Sequence, residues 1–129
     1  MSASNNDNPA ALTETIAAIA TPLGEGGVAL IRLSGPRSLA IADASFRPAG
    51  ASAPAPSEAA THSIHFGRIY RGGQVVDEVL LSVMRAPRTF TREDVVEITC
   101  HGGLVPAKQV LDTVLENGAR LAGPGEFTR

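Results

Sequence analysis

Two aliphatic and aromatic runs, Ile64 to Arg71 and Gln74 to Met84, are separated only by Gly72-Gly73. A glycine pair between β-forming runs is the sequence of a two-residue hairpin, because the favoured turns need positive φ at their centre. The chain must therefore contain a long antiparallel pair, with its other elements beside or across it. Thr15 to Ala20 reads as another strand, weakened by its alanines. Val28 to Leu33 is apolar at nearly every position and reads as a strand buried on both faces. Val95 to Cys100 is a further β-branched run, and Arg120-Leu121-Ala122 a short candidate strand.

Two helices separate these runs. Ser34-Gly35-Pro36 stops the second strand, and Pro36 is placed as the first residue of a helix reaching about Phe46. From Pro106 to about Glu116, Val110, Leu111, Val114 and Leu115 recur at helical spacing, and Asn117-Gly118 supplies the stop. The order strand, helix, hairpin, strand, helix, strand implies an α+β domain: a mixed sheet of about five strands with helices on one side. Arg47 to Ala60 (RPAGASAPAPSEAA) reads as a long surface loop. Residues 1–14 read as a frayed arm, 15–123 as the domain, and 124–129 as the entry to a further helical domain.

The composition narrows the function. A chain of 129 residues with 43% hydrophobic content can bury a core as a single domain. Eleven basic residues against thirteen acidic ones, with 4% aromatics, give no electrostatic footprint for nucleic acid. A single cysteine excludes a disulfide framework and fits a reducing compartment. No apolar run approaches the roughly 18 residues of a spanning helix, and Met1 to Thr15 carries no Lys or Arg. A cytoplasmic protein without a membrane partner is expected.

Several motifs invite chemistry. Gly24-Glu25-Gly26-Gly27-Val28-Ala29 satisfies a relaxed dinucleotide fingerprint, but that motif requires a helix after the glycines, and strand-forming residues follow. No glycine-lysine-serine/threonine loop occurs, so this chain alone should not hydrolyse a nucleoside triphosphate. Cys100 and His101 are strand neighbours pointing to opposite faces, so Cys100 reads as a core residue rather than a nucleophile. His62, His65 and His101 lack metal-site spacing, and neither metal ligands nor catalytic residues are assigned.

Arg32 and Glu97 remain. Arg32 shares a strand face with Val28 and Leu30, and Glu97 one with Val95 and Thr99, so each projects a charge from an apolar surface. Two readings stand on the residues alone. One is a structural ion pair, between the two or with Arg68 or Asp77; the other is a polar pocket in an apolar wall, the make-up of a small-molecule site.

Four blocks in order, Thr15 to Pro22 (TIAAIATP), Gly26 to Gly35 (GGVALIRLSG), Thr89 to Gly103 (TFTREDVVEITCHGG) and Pro124 to Arg129 (PGEFTR), resemble the amino-terminal domain of the tRNA-modification GTPase MnmE (TrmE) family. That resemblance implies the fold of the folate-binding domain of glycine-cleavage aminomethyltransferases. It also implies homodimerisation and binding of 5-formyl- or methylene-tetrahydrofolate. It places the family's folate contacts in this span on Arg32 and Glu97, with the remainder downstream. It further implies a parent GTPase whose potassium and magnesium ligands lie in an absent GTPase domain. With a flavin-dependent partner (MnmG, also called GidA), that parent adds an aminomethyl-type group at C5 of the tRNA wobble uridine. The tRNA is a substrate of the complex and is not clamped by this domain. The alternative is a homodimerisation module with an internal Arg-Glu ion pair and no ligand.

Overall fold

The computed structural model describes residues 14–20, 28–87, 89 and 93–128. In chain order these form β1 (Ile16–Ile19), β2 (Ala29–Ser34), α1 (Ser38–Ser45), β3 (Phe46–Pro48), β4 (Ser63–Arg71), β5 (Gln74–Met84), β6 (Val95–Cys100), α2 (Leu104–Glu116) and β7 (Arg120–Leu121), with single 3-10 turns at Pro56–Glu58 and Glu126–Thr128. The strands make one sheet, ordered β3-β4-β5-β6-β2-β1-β7. Every pairing is antiparallel except that of β7 with β1, so the sheet is mixed.

The α+β class holds, but the sheet has seven strands among the described residues rather than about five. One of the seven, β7, is the short candidate strand at Arg120, which pairs with β1 as Arg120–Leu121. The addition, β3, lies where the sequence reads as a helix end and a loop. Phe46 leaves the last turn of α1 directly into extended backbone and pairs with Ile69, burying its ring as it does so. Three residues are too few to show a period of two.

The β4–β5 hairpin turns through Gly72 and Gly73 at φ 59° and 81°, as their composition requires. Helix α1 starts at Ser38, two residues later than expected, because Pro36 and Arg37 form a turn held by the Arg37 N–H on Thr15 Oγ1 at 2.7 Å. Helix α2 starts at Leu104, two residues earlier than expected. Pro106 is tolerated within the first turn, where a missing N–H leaves no helix bond unmade. The helix closes as a Schellman motif: Gly118, at φ 122°, donates to Leu115 O, and Ala119 donates to Val114 O.

Both helices cover one face. Ile41 and Ala42 of α1 and Ala107, Val110 and Val114 of α2 join Ile31, Leu33, Val79, Leu81, Val96 and Ile98 in a single core. Register fixes what lies across the central strands. On the helix side Ile31, Ile98 and Leu81 stand in one row over β2, β6 and β5. One residue along, Ala18, Arg32, Glu97 and Ser82 form a row over β1, β2, β6 and β5, on the face without helices. Strand β2 is consequently covered on one face only, contrary to its continuous apolar run: Ile31 and Leu33 are buried, whereas Leu30 and Arg32 are partly exposed. Among the described residues no helix is long and apolar enough to cross a membrane.

Candidate functional site

Arg32 and Glu97 are cross-strand partners in the middle of the sheet, and the structure brings them together. Arg32 Nε and Nη2 each lie 2.7 Å from the same carboxylate oxygen, Glu97 Oε2. The other partners weighed for them are engaged elsewhere. Arg68 donates to Glu78 Oε2 from Nε at 3.2 Å and Nη2 at 3.1 Å. Asp77 Oδ2 accepts the N–H groups of His101 and Gly102 at 3.0 and 3.2 Å. The two charges are therefore mutually neutralised, as the ion-pair reading requires.

The pairing is one-sided, however. Because both guanidinium donors converge on Oε2, Glu97 Oε1 and Arg32 Nη1 take no hydrogen-bond partner among the described residues. The two side chains keep 35% and 24% of their surface exposed, so the pair is half-buried rather than sealed in the core. Ala18 and Ser82, both short side chains, flank the pair in its row. A carboxylate oxygen that can accept and a guanidinium nitrogen that can donate are the groups needed to read an edge that offers an N–H and a carbonyl.

One member of this site was not assigned from the residues. Phe127, in the turn at Glu126–Thr128, places its ring over the Arg32 guanidinium, with Cζ 5.9 Å from the ring centroid. The motif PGEFTR was visible in the sequence, but 95 positions separate the two residues there, and nothing local joins them.

The remaining candidates separate from this site. Cys100 is fully buried, and His101, the next residue, is exposed, so they form no nucleophile-base pair. Burial, and secondarily the Asp77 carboxylate, push the thiol up to about 12. Its folded value lies above the unfolded one, so the associated stability is present below the unfolded value and is lost as pH rises toward the folded one. Native protein at pH 8 is accordingly expected to leave Cys100 unlabelled by a disulfide reagent such as DTNB, with stoichiometric reaction on denaturation. Rapid native labelling would show that the strand end opens.

Gly24 to Gly27 lie outside the described residues, but β2 follows them as a strand, so no helix N-terminus is presented to a dinucleotide. Among the described residues no three His, Cys, Asp or Glu side chains gather as a metal site. A recess of about 450 Å³ opens elsewhere on the molecule, lined by Phe66, Asp77, Glu78, Leu80, His101 and Gly102. Its two carboxylates are those already bonded to backbone N–H groups and to Arg68.

Comparison with known proteins agrees with the blocks that frame the Arg32–Glu97 site. Residues 15–129 match the family described as the GTP-binding protein TrmE N-terminus. The tRNA modification GTPase MnmE of Listeria innocua is 57% identical over 116 residues, covering 90% of this chain and 24% of its own length. The protein of the same name from Geobacillus kaustophilus is 57% identical over 119 residues, covering 90% of this chain and 25% of its own. That of Bacillus subtilis is 53% identical over 118 residues, with the same coverages of 90% and 25%. The chain thus spans about a quarter of the length of the curated relatives it matches. With its sheet, its central charge pair and the carboxyl-terminal turn all inside the matched span, the chain belongs to the family of the MnmE (TrmE) amino-terminal domain.

Proposed function

We propose that this domain binds a reduced folate, 5-formyl- or methylene-tetrahydrofolate, through Arg32 and Glu97. In this reading it is the cofactor-binding and homodimerisation domain of a GTPase that works with a flavin-dependent partner on the wobble uridine of tRNA. The observation that carries it is a cross-strand charge pair on the sheet face without helices in which Glu97 Oε1 and Arg32 Nη1 take no partner among the described residues. The pyrimidinone edge of a pterin offers exocyclic amine, ring N–H and carbonyl in that order. Oε1 accepts from the first two, and Nη1 donates to the third. The Nε and Nη2 bonds to Oε2 stay in place meanwhile and hold the carboxylate and guanidinium in a fixed relation. The folate, when bound, supplies the one-carbon unit; the residues here position it and transfer no proton. Potassium, magnesium and GTP belong to a GTPase domain outside this chain.

The test is calorimetric titration with (6S)-5-formyltetrahydrofolate. A hydrogen bond to a charged group contributes about 1.5–3 kcal/mol, so Glu97→Gln is expected to weaken binding by roughly 10–100-fold. Its thermal midpoint should stay close to that of the parent, because an ion pair this exposed contributes about 1 kcal/mol or less. The short contact of Arg32 with Glu97 favours a second reading, a dimerisation module with an internal ion pair. That reading predicts no heat of binding in a folded dimer.

A further inference from the structure

The ring of Phe127 lies over a guanidinium whose charge Glu97 already meets, and a neutralised cation gains little from an aromatic face. The contact with Arg32 alone does not account for the effort with which that ring is placed. Phe127 is half-buried and stands outside the core, so burial does not account for it either. Yet the turn that carries it is clamped from several directions. Glu126 Oε1 accepts the Gly123 N–H at 2.7 Å and Arg120 Nη1 at 3.1 Å, and Oε2 pairs with Arg120 Nη2. The Glu126 N–H donates to Gly123 O at 3.1 Å, and Gly125 supplies the positive φ of 71° that lets the chain double back. Arg120 is itself anchored through Nε to Glu14 Oε1 at 2.9 Å and through its N–H to Thr15 O at 2.8 Å. The hydrogen bond to Glu126, the strongest influence on it, holds the Arg120 guanidinium above its ordinary range.

We propose that Phe127 is the stacking wall of the Arg32–Glu97 site, where its face packs against the flat ring of a nitrogen heterocycle whose N–H and C=O edge the charge pair reads. Hydrogen bonds from a planar guanidinium and a carboxylate select the edge of a ring but leave its faces unread. An aromatic wall reads flatness. Together they recognise a planar lactam heterocycle, such as the pyrimidinone half of a pterin, and discriminate against open-chain amides that carry the same edge. Arg120 and Glu126 are positioning residues that seat the ring. The inference rests on the folate reading and adds to it a residue and a criterion of selectivity.

The experiment titrates the protein with (6S)-5-formyltetrahydrofolate and compares Phe127→Leu, which keeps the apolar bulk but loses the π face, with Phe127→Tyr, which keeps the ring, and with Glu97→Gln. Phe127→Leu is expected to weaken binding on the order of tenfold, whereas Phe127→Tyr stays within about threefold of the parent. Thermal midpoints are measured on the same samples, and the leucine variant should melt with the parent. A change in the ligand's near-ultraviolet absorbance on binding should appear with the parent and the tyrosine variant and fade with the leucine variant. Parent-like affinity in Phe127→Leu, with binding lost in Glu97→Gln, overturns the stacking role and leaves the folate site standing. Equal weakening by leucine and tyrosine also overturns it, because the position would then matter for turn packing alone. Absence of binding to the parent protein removes both readings together.

Discussion

Gly67→Val is expected to lower the thermal midpoint by roughly 10–20 °C, a loss of about 3 kcal/mol. Gly67 sits in β4 on the helix-covered face, directly opposite Pro48 of β3 and Val79 of β5. A Cβ there would lie 2.3 Å from the carbonyl oxygen of Arg47 and 2.5 Å from Phe46 Cζ. The first of these is backbone in the neighbouring strand and cannot rotate away. The second is a ring that closes the core and is 3% exposed. Any side chain at position 67 must therefore push β3 off the sheet or drive Phe46 out of its site. Differential scanning of Gly67→Ala and Gly67→Val should show a large loss already at alanine and a larger one at valine. A midpoint within a few degrees of the parent would mean that β3 contributes little to the fold.

The second large effect is expected at the centre of the sheet. Ile98→Ala should cost about 3–4 kcal/mol, near the middle of the range for aliphatic residues cut to alanine in cores. Ile98 is fully buried and stands in register with Ile31 on one side and Leu81 on the other, both also fully buried. The cavity is hemmed by two neighbouring strands and by helices, so it collapses poorly. In urea the midpoint concentration should fall with the slope unchanged, the sign of lost stability without a change in the surface exposed. Leu81→Ala combined with Ile98→Ala should be less damaging than the two single losses added together, since they open one shared cavity. Strict additivity would place the two side chains in separate compartments. Set beside Glu97→Gln, one residue away on the opposite face, the contrast separates what the strand does for the fold from what it offers a ligand.

The glycine pair of the hairpin, the β-branched run at Val95 and the periodic helix over Val110 to Leu115 announce themselves because their signals are local. So does the division of Cys100 from His101, which follows from alternation along a strand. The open face of β2 was hidden for the opposite reason: a leucine at position 30 reads as core wherever it stands, and only the placement of both helices on the other side reveals that it is half exposed. Strand β3 was hidden by its brevity. The Arg32–Glu97 pairing was one of two alternatives in the residues themselves, since alternation gives the face of each side chain but not the strand beside it. Phe127 belongs to the site only through β7, whose two residues lie against the far end of the sheet and carry no periodic signal.

That parallel pairing of β7 with β1 also governs the order in which the molecule comes together. Strand β1 lies between β2 and β7, and the Arg120 guanidinium reaches Glu14 across 106 positions of chain. Contacts between segments so distant must await the closure of everything between them. The hairpin is expected to form early and the β1–β7 seam late. The same seam is expected to fray first in native-state hydrogen exchange, releasing the clamp on the carboxyl-terminal turn while the central strands remain protected.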